Sequence, residues 1–523
     1  MIFMVGSVQK LEFTKTIFDN VHGFIPLTEI EYSIIDTQEF QRLRNIRQLG
    51  LLDYVFPGAL HNRFNHSLGV LFIADKMVKS LQIKEKLQEP NIRQLIRLAA
   101  LLHDIGHYPL SHITEDVIIN DYKRRTKNIH AGLSLEPSAD IDTDSPQKEE
   151  ESDLKSILDL SESHRYNSEI HSANVDSDFP HHERIASIVI KQSKIKQILL
   201  DAGVSEDDII TISQIIAGST FGLGKSIIHS ELDADRFDYV LRDSKETGVT
   251  YGLFDLNQII RHLDFYDEPD VDEESTGLYI ARKGQKAVED YLISRYFLYS
   301  TVIYQKASIG FHKMLSLVYE GLLERNLAPS YFSLIQKFDS GDLDWYYNFN
   351  DMLIVDLLKK AIKSDIQDDG YRINSNFLKE CCQKIIERKP LKLVKEEQII
   401  AEKGQSTNTF ERRYHEKAVV DSIVADAGIE DYWYIKSIIK RNITSLSPFI
   451  SVNDPDSYDR LKEESIRIGE KGKKPIFLVD DPTSIIRPLA NQQLVIASVY
   501  SKDKDYRQKI LTAMENYERS LES

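Results

Sequence analysis

Apolar positions along most of the chain recur at helical period. Phe40, Leu43 and Ile46 stand three apart, and Ile92, Leu95, Ile96, Ala99 and Leu102 trace one helix face. The pattern predicts helices up to about residue 130, after a short turn-rich start. From 131 to 180 it breaks into a Ser-, Asp- and Glu-rich stretch, expected to be an exposed acidic insertion, largely disordered, with a short helix at "LKSILDL". Helical spacing resumes at His182 and runs to about Arg325; in "ELDADRFDYVLRDS", Leu232, Asp235, Tyr239 and Arg242 are expected on one face. Further helices are expected near 351–364 and 374–388. Then come two strand-like runs, "PIFLV" and "LVIASVY", and a charged helix, "YRQKILTAMENYERSL". The fold class is therefore mainly α, with a helical core over 1–325 and a helical to α+β region over 326–523.

The chain has 523 residues, 41% of them hydrophobic, which suffices for a large buried core and two or three domains. It shows neither a long apolar run nor a leader-like start, so the cytoplasm is the expected compartment. Its two cysteines, Cys381 and Cys382, are neighbours and fit a structural role in a reducing setting. The net charge of −17 argues against a globally basic nucleic-acid binder, and an anionic substrate would need a metal and a few placed cations.

Candidate chemistry concentrates in "LIRLAALLHDIGHYPLSH". Histidine and aspartate at the buried end of an apolar helix are costly unless something pairs with them. His103 and Asp104 can converge on one point only at a helix end, which Gly106 and Pro109 supply. His66, at the start of an upstream helix, and Asp235 complete a set of two imidazoles and two carboxylates from three helices. Such a set suits Mn, Fe, Mg or Zn without choosing among them.

The order His, His-Asp, Asp, with "RLRNIRQLG", "FPGALHNRFNHSLGV", "LLHDIGHYPLSH" and "ELDADRFDYVLRDS" around them, resembles the HD-domain phosphohydrolases. Within these it is similar to the deoxynucleoside triphosphate triphosphohydrolase branch, from about Lys15 to Lys306. The resemblance implies a helical HD core, metal ligands His66, His103, Asp104 and Asp235, and His107, His112, His182 and Glu183 at catalytic or supporting positions. His112 would give a proton to the leaving 5′ oxygen while metal-activated water attacks the α-phosphorus. Gln48, Leu49, Arg63, Arg236, Tyr239, Asp243 and Arg295 would hold triphosphate and sugar. Lys15, Asp36, Gln41 and Arg44 would bind an activating guanine nucleotide between subunits of a homo-oligomer, a tetramer. The chain departs from the family pattern at Phe18 for Asn, Arg236 for Lys, and Ile303 and Gln305 for Tyr and His.

Blander readings fit some of the same residues. His107 and His112 also fit a purely supporting role, His182 and Glu183 ordinary helix-start chemistry, and Asp36, Gln41 and Arg44 a solvated helix face. "GSTFGLGKS" is one residue too long between Gly218 and Gly224 for a phosphate-binding loop. Two alternatives to the triphosphohydrolase remain: an HD-type phosphodiesterase or nuclease acting on nucleic acid or signalling nucleotides, and a non-catalytic nucleotide sensor.

Overall fold

The structure, a computed structural model, describes residues 11–83, 91–130, 181–219, 222–266, 277–341, 343–366, 371, 373–402, 425, 428, 434–442, 465–470 and 473–522. The acidic stretch at 131–180, with the helix expected inside it, lies outside the described residues.

The first element among the described residues is a hairpin rather than loose turns: β1 (Lys15–Asp19) pairs antiparallel with β2 (Gly23–Leu27). The Asp19 carboxylate accepts from the Val21 and His22 N–H groups, and Gly23 takes a left-handed backbone, φ 76°, that closes the turn. Next come α1 (Glu29–Ile35) and α2 (Gln38–Gln41). A 3₁₀ turn at Arg42–Asn45 follows, and Phe40, Leu43 and Ile46 are all fully buried. Their three-residue spacing matches three residues per 3₁₀ turn.

Three long helices form the centre: α3 (Arg63–Ile83), α4 (Ile92–Leu102) and α5 (His112–His130). Past the acidic stretch run α6 (His182–Gln192), α7 (Lys194–Asp201), α8 (Glu206–Ile216), α9 (Leu223–Ile228), α10 (Ala234–Thr247) and α11 (Leu256–His262). α3 packs against both α4 and α10, which brings the three segments carrying the candidate ligands together. The expected helical run to Arg325 is interrupted by β3 (Leu263–Tyr266) and β4 (Gly277–Ala281), strands too short for their period to stand out. α12 (Gln285–Leu298), a π-helical turn at Tyr299–Ile303 and α13 (Lys306–Glu324) follow.

Next among the described residues come α14 (Tyr331–Asp339), α15 (Asp351–Lys363) and α16 (Ser375–Ile386). Then come β5 (Lys392–Glu402), β6 (Tyr434–Asn442), β7 (Arg467–Gly469), β8 (Ile476–Phe477), β9 (Gln492–Ser501) and α17 (Lys504–Glu522). β9 is the centre of an antiparallel sheet in the order β5-β9-β6. Its near-continuous apolar run is explained by cover on both faces: Ile510 and Met514 of α17 cluster with Val495, Ala497 and Val499, while the Tyr500 hydroxyl donates to the Lys306 carbonyl. β5 escapes sequence reading because Lys and Glu, poor strand formers, fall on both of its faces, mostly half-buried, and break the apolar alternation. "PIFLV" supplies only a two-residue strand before a 3₁₀ turn. β4 pairs parallel with β7, so residues far apart in sequence complete one sheet, β3-β4-β7-β8. The architecture is mainly α with a smaller α+β region. Among the described residues no helix is long and apolar enough to cross a membrane.

Candidate metal centre

Each candidate ligand sits at a helix terminus. His66 lies in the first turn of α3, where the Asn62 side chain accepts from the Asn65 N–H. α4 ends at Leu102, so His103 is its cap residue and Asp104 begins the following turn. Asp235 is in the first turn of α10, capped by Asp233, whose Oδ1 accepts from Arg236 N–H at 2.6 Å. Leu232 precedes that cap and therefore does not share the helical face of Asp235, Tyr239 and Arg242. Gly106 admits α6 against this turn: a Cβ there would lie 2.0 Å from the His182 carbonyl oxygen and 2.3 Å from the Ala186 nitrogen.

The side chains converge. His66 Nε2 is 2.8 Å from Asp235 Oδ1 and 3.7 Å from Asp104 Oδ2. His103 Nε2 is 3.4 Å from Asp104 Oδ1 and 3.9 Å from Asp235 Oδ1. Each imidazole is tied back through its other nitrogen: His103 Nδ1 donates to the Ala100 carbonyl at 2.8 Å, and His66 Nδ1 lies 2.7 Å from Asp238 Oδ2. A carbonyl only accepts, so Nδ1 is the donor here and Nε2 is the ring nitrogen that faces the carboxylates. That Nε2 is buried with no hydrogen-bond partner among the described residues. Two imidazole nitrogens and two carboxylates facing one another, one nitrogen otherwise orphaned, fit a divalent cation, and the mixed donors leave its identity open.

Electrostatics agree. Burial disfavours charge on His66, but hydrogen bonds to Asp235 and Asp238 and the nearby Asp104 outweigh it and raise the imidazole to about 10. Burial pushes the Asp104 carboxyl up, yet Arg63, His103 and His66 hold it down at about 2. Asp235 is likewise lowered: burial is outweighed by the hydrogen bond and charge of His66 and by His103. Both carboxylates are thus ionised at neutral pH, and the proton on His66 is the one a cation would displace.

Beside this set lies a second group. The rings of His107 and His182 stack with centroids 4.0 Å apart, and His107 Nε2 is 3.3 Å from Asp104 Oδ1. His112 Nδ1 is 2.9 Å from Glu115 Oε2, while Glu115 Oε1 accepts from the His182 backbone N–H and lies 2.8 Å from its Nδ1. The His112 side chain is 47% exposed, whereas Glu115 is buried. Glu183 lies 2.5 Å from His181 Nδ1 and 4.0 Å from His182 Nε2. Burial, reinforced by Arg63 and the neighbouring histidines, keeps the His107 imidazole well below its usual range. His181 rises to about 9: burial is overcome by Glu183 and Glu115. Sequence reasoning missed Glu115, Asp238 and His61. The available signals were a His-x-x-Glu pair in the first turn of α5 and an Asp three residues beyond Asp235.

Of the expected substrate positions, Arg63 touches a candidate ligand directly, and the others are held by contacts of their own. Arg63 pairs with Asp104 at 2.9 Å and donates to Ser111 Oγ at 3.0 Å. Arg236 bonds the Ser230 carbonyl and sits 3.4 Å from Asp233. Arg295 reaches Glu231 and the Tyr291 hydroxyl, each at 3.4 Å. Tyr239 is buried, with its ring 6.3 Å from that of Tyr299. His61 links two others: its Nε2 lies 2.7 Å from Asp243, and its carbonyl accepts from the Gln48 N–H. The Gln48 Oε1 is buried without a partner among the described residues, and Leu49 is half-buried. Gln305 has become a helix cap, accepting from the Ala307 and Ser308 N–H groups at the start of α13, and Ile303 ends the π-helical turn.

The four expected activator residues are less gathered. Arg44 donates to Gln41 at 2.7 Å and lies 3.5 Å from the Phe64 ring centroid, and Asp36 is the exposed cap of α1. The Lys15 ammonium is 5.1 Å from the Tyr32 ring, and Phe18 is 67% exposed.

A family model for the HD domain matches residues 63–243. YwfO, an uncharacterized protein of Bacillus subtilis, is 28% identical over 379 residues, 68% of this chain and 72% of that protein. MJ1154 of Methanocaldococcus jannaschii, also uncharacterized, is 33% identical over 291 residues, covering 55% of this chain and 45% of that one. The deoxynucleoside triphosphate triphosphohydrolase SAMHD1 of Mus musculus is 40% identical over 132 residues, 25% of this chain and 20% of the mouse protein. Two crystal structures share the fold. A hypothetical protein from Aquifex aeolicus superposes with TM-score 0.62 at 23% identity, covering 96% of this chain and 99% of that one. A phosphohydrolase from Bacteroides thetaiotaomicron superposes with TM-score 0.59 at 22% identity, covering 93% and 100%. The matched segment opens three residues before His66 and closes eight after Asp235, and the chain carries an HD domain.

Proposed function

We propose that the protein is a metal-dependent hydrolase that converts deoxynucleoside triphosphates to deoxynucleoside and inorganic triphosphate. The supporting observation is the convergence of the His66, His103, Asp104 and Asp235 donors, with His107 set between Asp104 and the His112–Glu115 pair and Arg63 paired to Asp104. The similarity to SAMHD1 within one quarter of the chain supports the choice of substrate.

A divalent cation held by the four donors would lower the pKa of water toward neutrality and offset phosphate charge. His112 is the proton donor to the departing 5′ oxygen: Glu115 holds its Nδ1, leaving Nε2 as the delivering atom, and the ring is the exposed member of its group. Buried Glu115 fixes the ring's orientation and, through His182, packs the stacked His107 behind it. Water adds to the α-phosphorus, the P–O5′ bond breaks, and triphosphate departs intact. Arg236 and Arg295 neutralise the triphosphate, Arg63 supports Asp104, and Tyr239, Asp243, Gln48 and Leu49 meet the nucleoside. Ile303 and Gln305 alter the pattern where base or sugar preference is set. Lys15, Asp36, Gln41 and Arg44 bind a guanine-nucleotide activator in a homotetramer.

Turnover of the four deoxynucleoside triphosphates with and without Mn²⁺ or Mg²⁺ tests this reading. His112→Ala should lower kcat by about 10²–10⁴-fold while retaining the metal. Full activity in that variant removes the proposed acid.

A further inference from the structure

The turn that delivers His112 is held from outside the HD segment. Leu110 and Ser111 both adopt left-handed backbones, φ 56° and 57°, which side-chain-bearing residues keep only where their surroundings fix them. Asp351, the first residue of α15, supplies that fixing. Its Oδ1 accepts from the Leu110 N–H at 2.6 Å, and its Oδ2 accepts from the Arg47 N–H at 2.9 Å. Arg47 immediately precedes Gln48 and Leu49, so one carboxylate bridges the segment carrying the proposed acid and the segment proposed to meet the sugar.

The bridge is built up around both segments. Ser111 Oγ donates to the Arg47 carbonyl at 2.8 Å and accepts from Arg63 Nε at 3.0 Å. Gly50, φ 57°, lets the first segment lie against the second: a Cβ there would sit 2.6 Å from Ile113 Cδ1 and 3.5 Å from the Leu110 carbonyl oxygen. The residues just before Asp351 hold the preceding turn as well. Fully buried Arg42 donates to the Phe349 carbonyl at 2.5 Å, the Ile105 carbonyl at 3.0 Å and the His107 carbonyl at 2.7 Å. Asp351 is not spent on capping its own helix, because Asn350 accepts from the Met352 N–H instead. Burial pushes its carboxyl up to about 6 against the two N–H donors and the Arg47 and Arg42 charges.

We propose that Asp351 is a positioning residue that sets His112 and Gln48–Leu49 relative to one another through the backbone N–H groups of Leu110 and Arg47. The roles of the positioned residues rest on the function proposed above; the bridge itself does not.

The test uses the full chain with Asp351→Ala, Asp351→Asn, which keeps one acceptor oxygen, and a control, Asp356→Ala, exposed on the same helix. Amide hydrogen exchange at Arg47 and Leu110, metal content, kcat and KM are measured for each. Protection at those two amides is expected to fall at least roughly tenfold in Asp351→Ala and by less in Asp351→Asn, with α3 unchanged. kcat should fall roughly 10–100-fold at unchanged metal content, with a smaller change in KM and partial recovery in Asp351→Asn. Unchanged protection, uniform loss of protection along the chain, or local loss with kcat intact would each overturn the assignment. A wild type that does not hydrolyse deoxynucleoside triphosphates defeats the proposed function, while the exchange data still decide whether the bridge exists.

Discussion

The Nδ1 atom of His66 lies 2.7 Å from Oδ2 of Asp238, one turn of helix beyond Asp235, which meets Nε2 on the other side of the same ring. The ring is thereby fixed in orientation and made a stronger donor toward its Nε2 side. Asp238 is itself anchored by Arg242 at 2.8 Å and His22 at 2.6 Å. Asp238→Asn should weaken metal affinity about 10–100-fold, read by titration of the metal-free protein. Gly69→Ala should do the same from a distance, because its Cβ would fall 1.8 Å from Asp238 Oδ1. Wild-type affinity in both variants would show that the Asp238 contact does not tune the site.

Metal uptake should be linked to pH through His66. Its imidazole, ordinarily near 6.5, stands at about 10 in the metal-free protein. The charged form is favoured by folding, so this contribution to stability is complete below pH 6.5 and is lost as pH rises through about 10. A cation needs the neutral ring. Below pH 10, binding should therefore release close to one proton from His66, and affinity should rise by up to about tenfold per pH unit. Calorimetry in buffers of different ionisation enthalpy measures that proton directly, and zero release would contradict the arrangement.

Glu115 serves two histidines with two oxygens. In Glu115→Gln one oxygen becomes an amide nitrogen, so the bond to His112 or the pair of contacts to His182 is lost. A fall in kcat of about 10–100-fold is expected, with metal content unchanged because Glu115 does not touch the four donors. Loss of metal instead would place Glu115 in the cage.

At Gly106 the backbone of α6 lies hard against the turn that follows His103 and Asp104. Gly106→Ala should cost at least about 3 kcal/mol, since its Cβ would overlap backbone atoms rather than a side chain that can move. Denaturant unfolding checks this, and a neutral effect would mean that α6 can shift without penalty.

How much of this was readable beforehand depended on whether the signal was local. His103 and Asp104 stand out because two polar residues interrupt an apolar stripe, and Gly106 and Pro109 mark the helix end beside them. Asp238 and Glu115 look like ordinary acidic residues on charged helices; only the folded distances give them partners 172 and 67 residues away. Asp351 is still more hidden, because it acts on backbone N–H groups that no side-chain pattern encodes. Among the elements, long helices were legible from period. β1 and β2 fell in a stretch read as turns, and β5 carried too many charges to look like a strand.

In the proposed reaction triphosphate leaves intact from a deoxynucleoside triphosphate at the His66, His103, Asp104 and Asp235 centre. The most direct measurement is phosphorus NMR of the products after turnover in ¹⁸O-water with Mn²⁺ removed before acquisition, comparing wild type with His103→Ala. Deoxynucleoside and inorganic triphosphate carrying a single ¹⁸O at a terminal phosphorus are expected, with no turnover in a folded His103→Ala variant. Nucleoside monophosphate with diphosphate, or undiminished activity in His103→Ala, would contradict the proposed reaction.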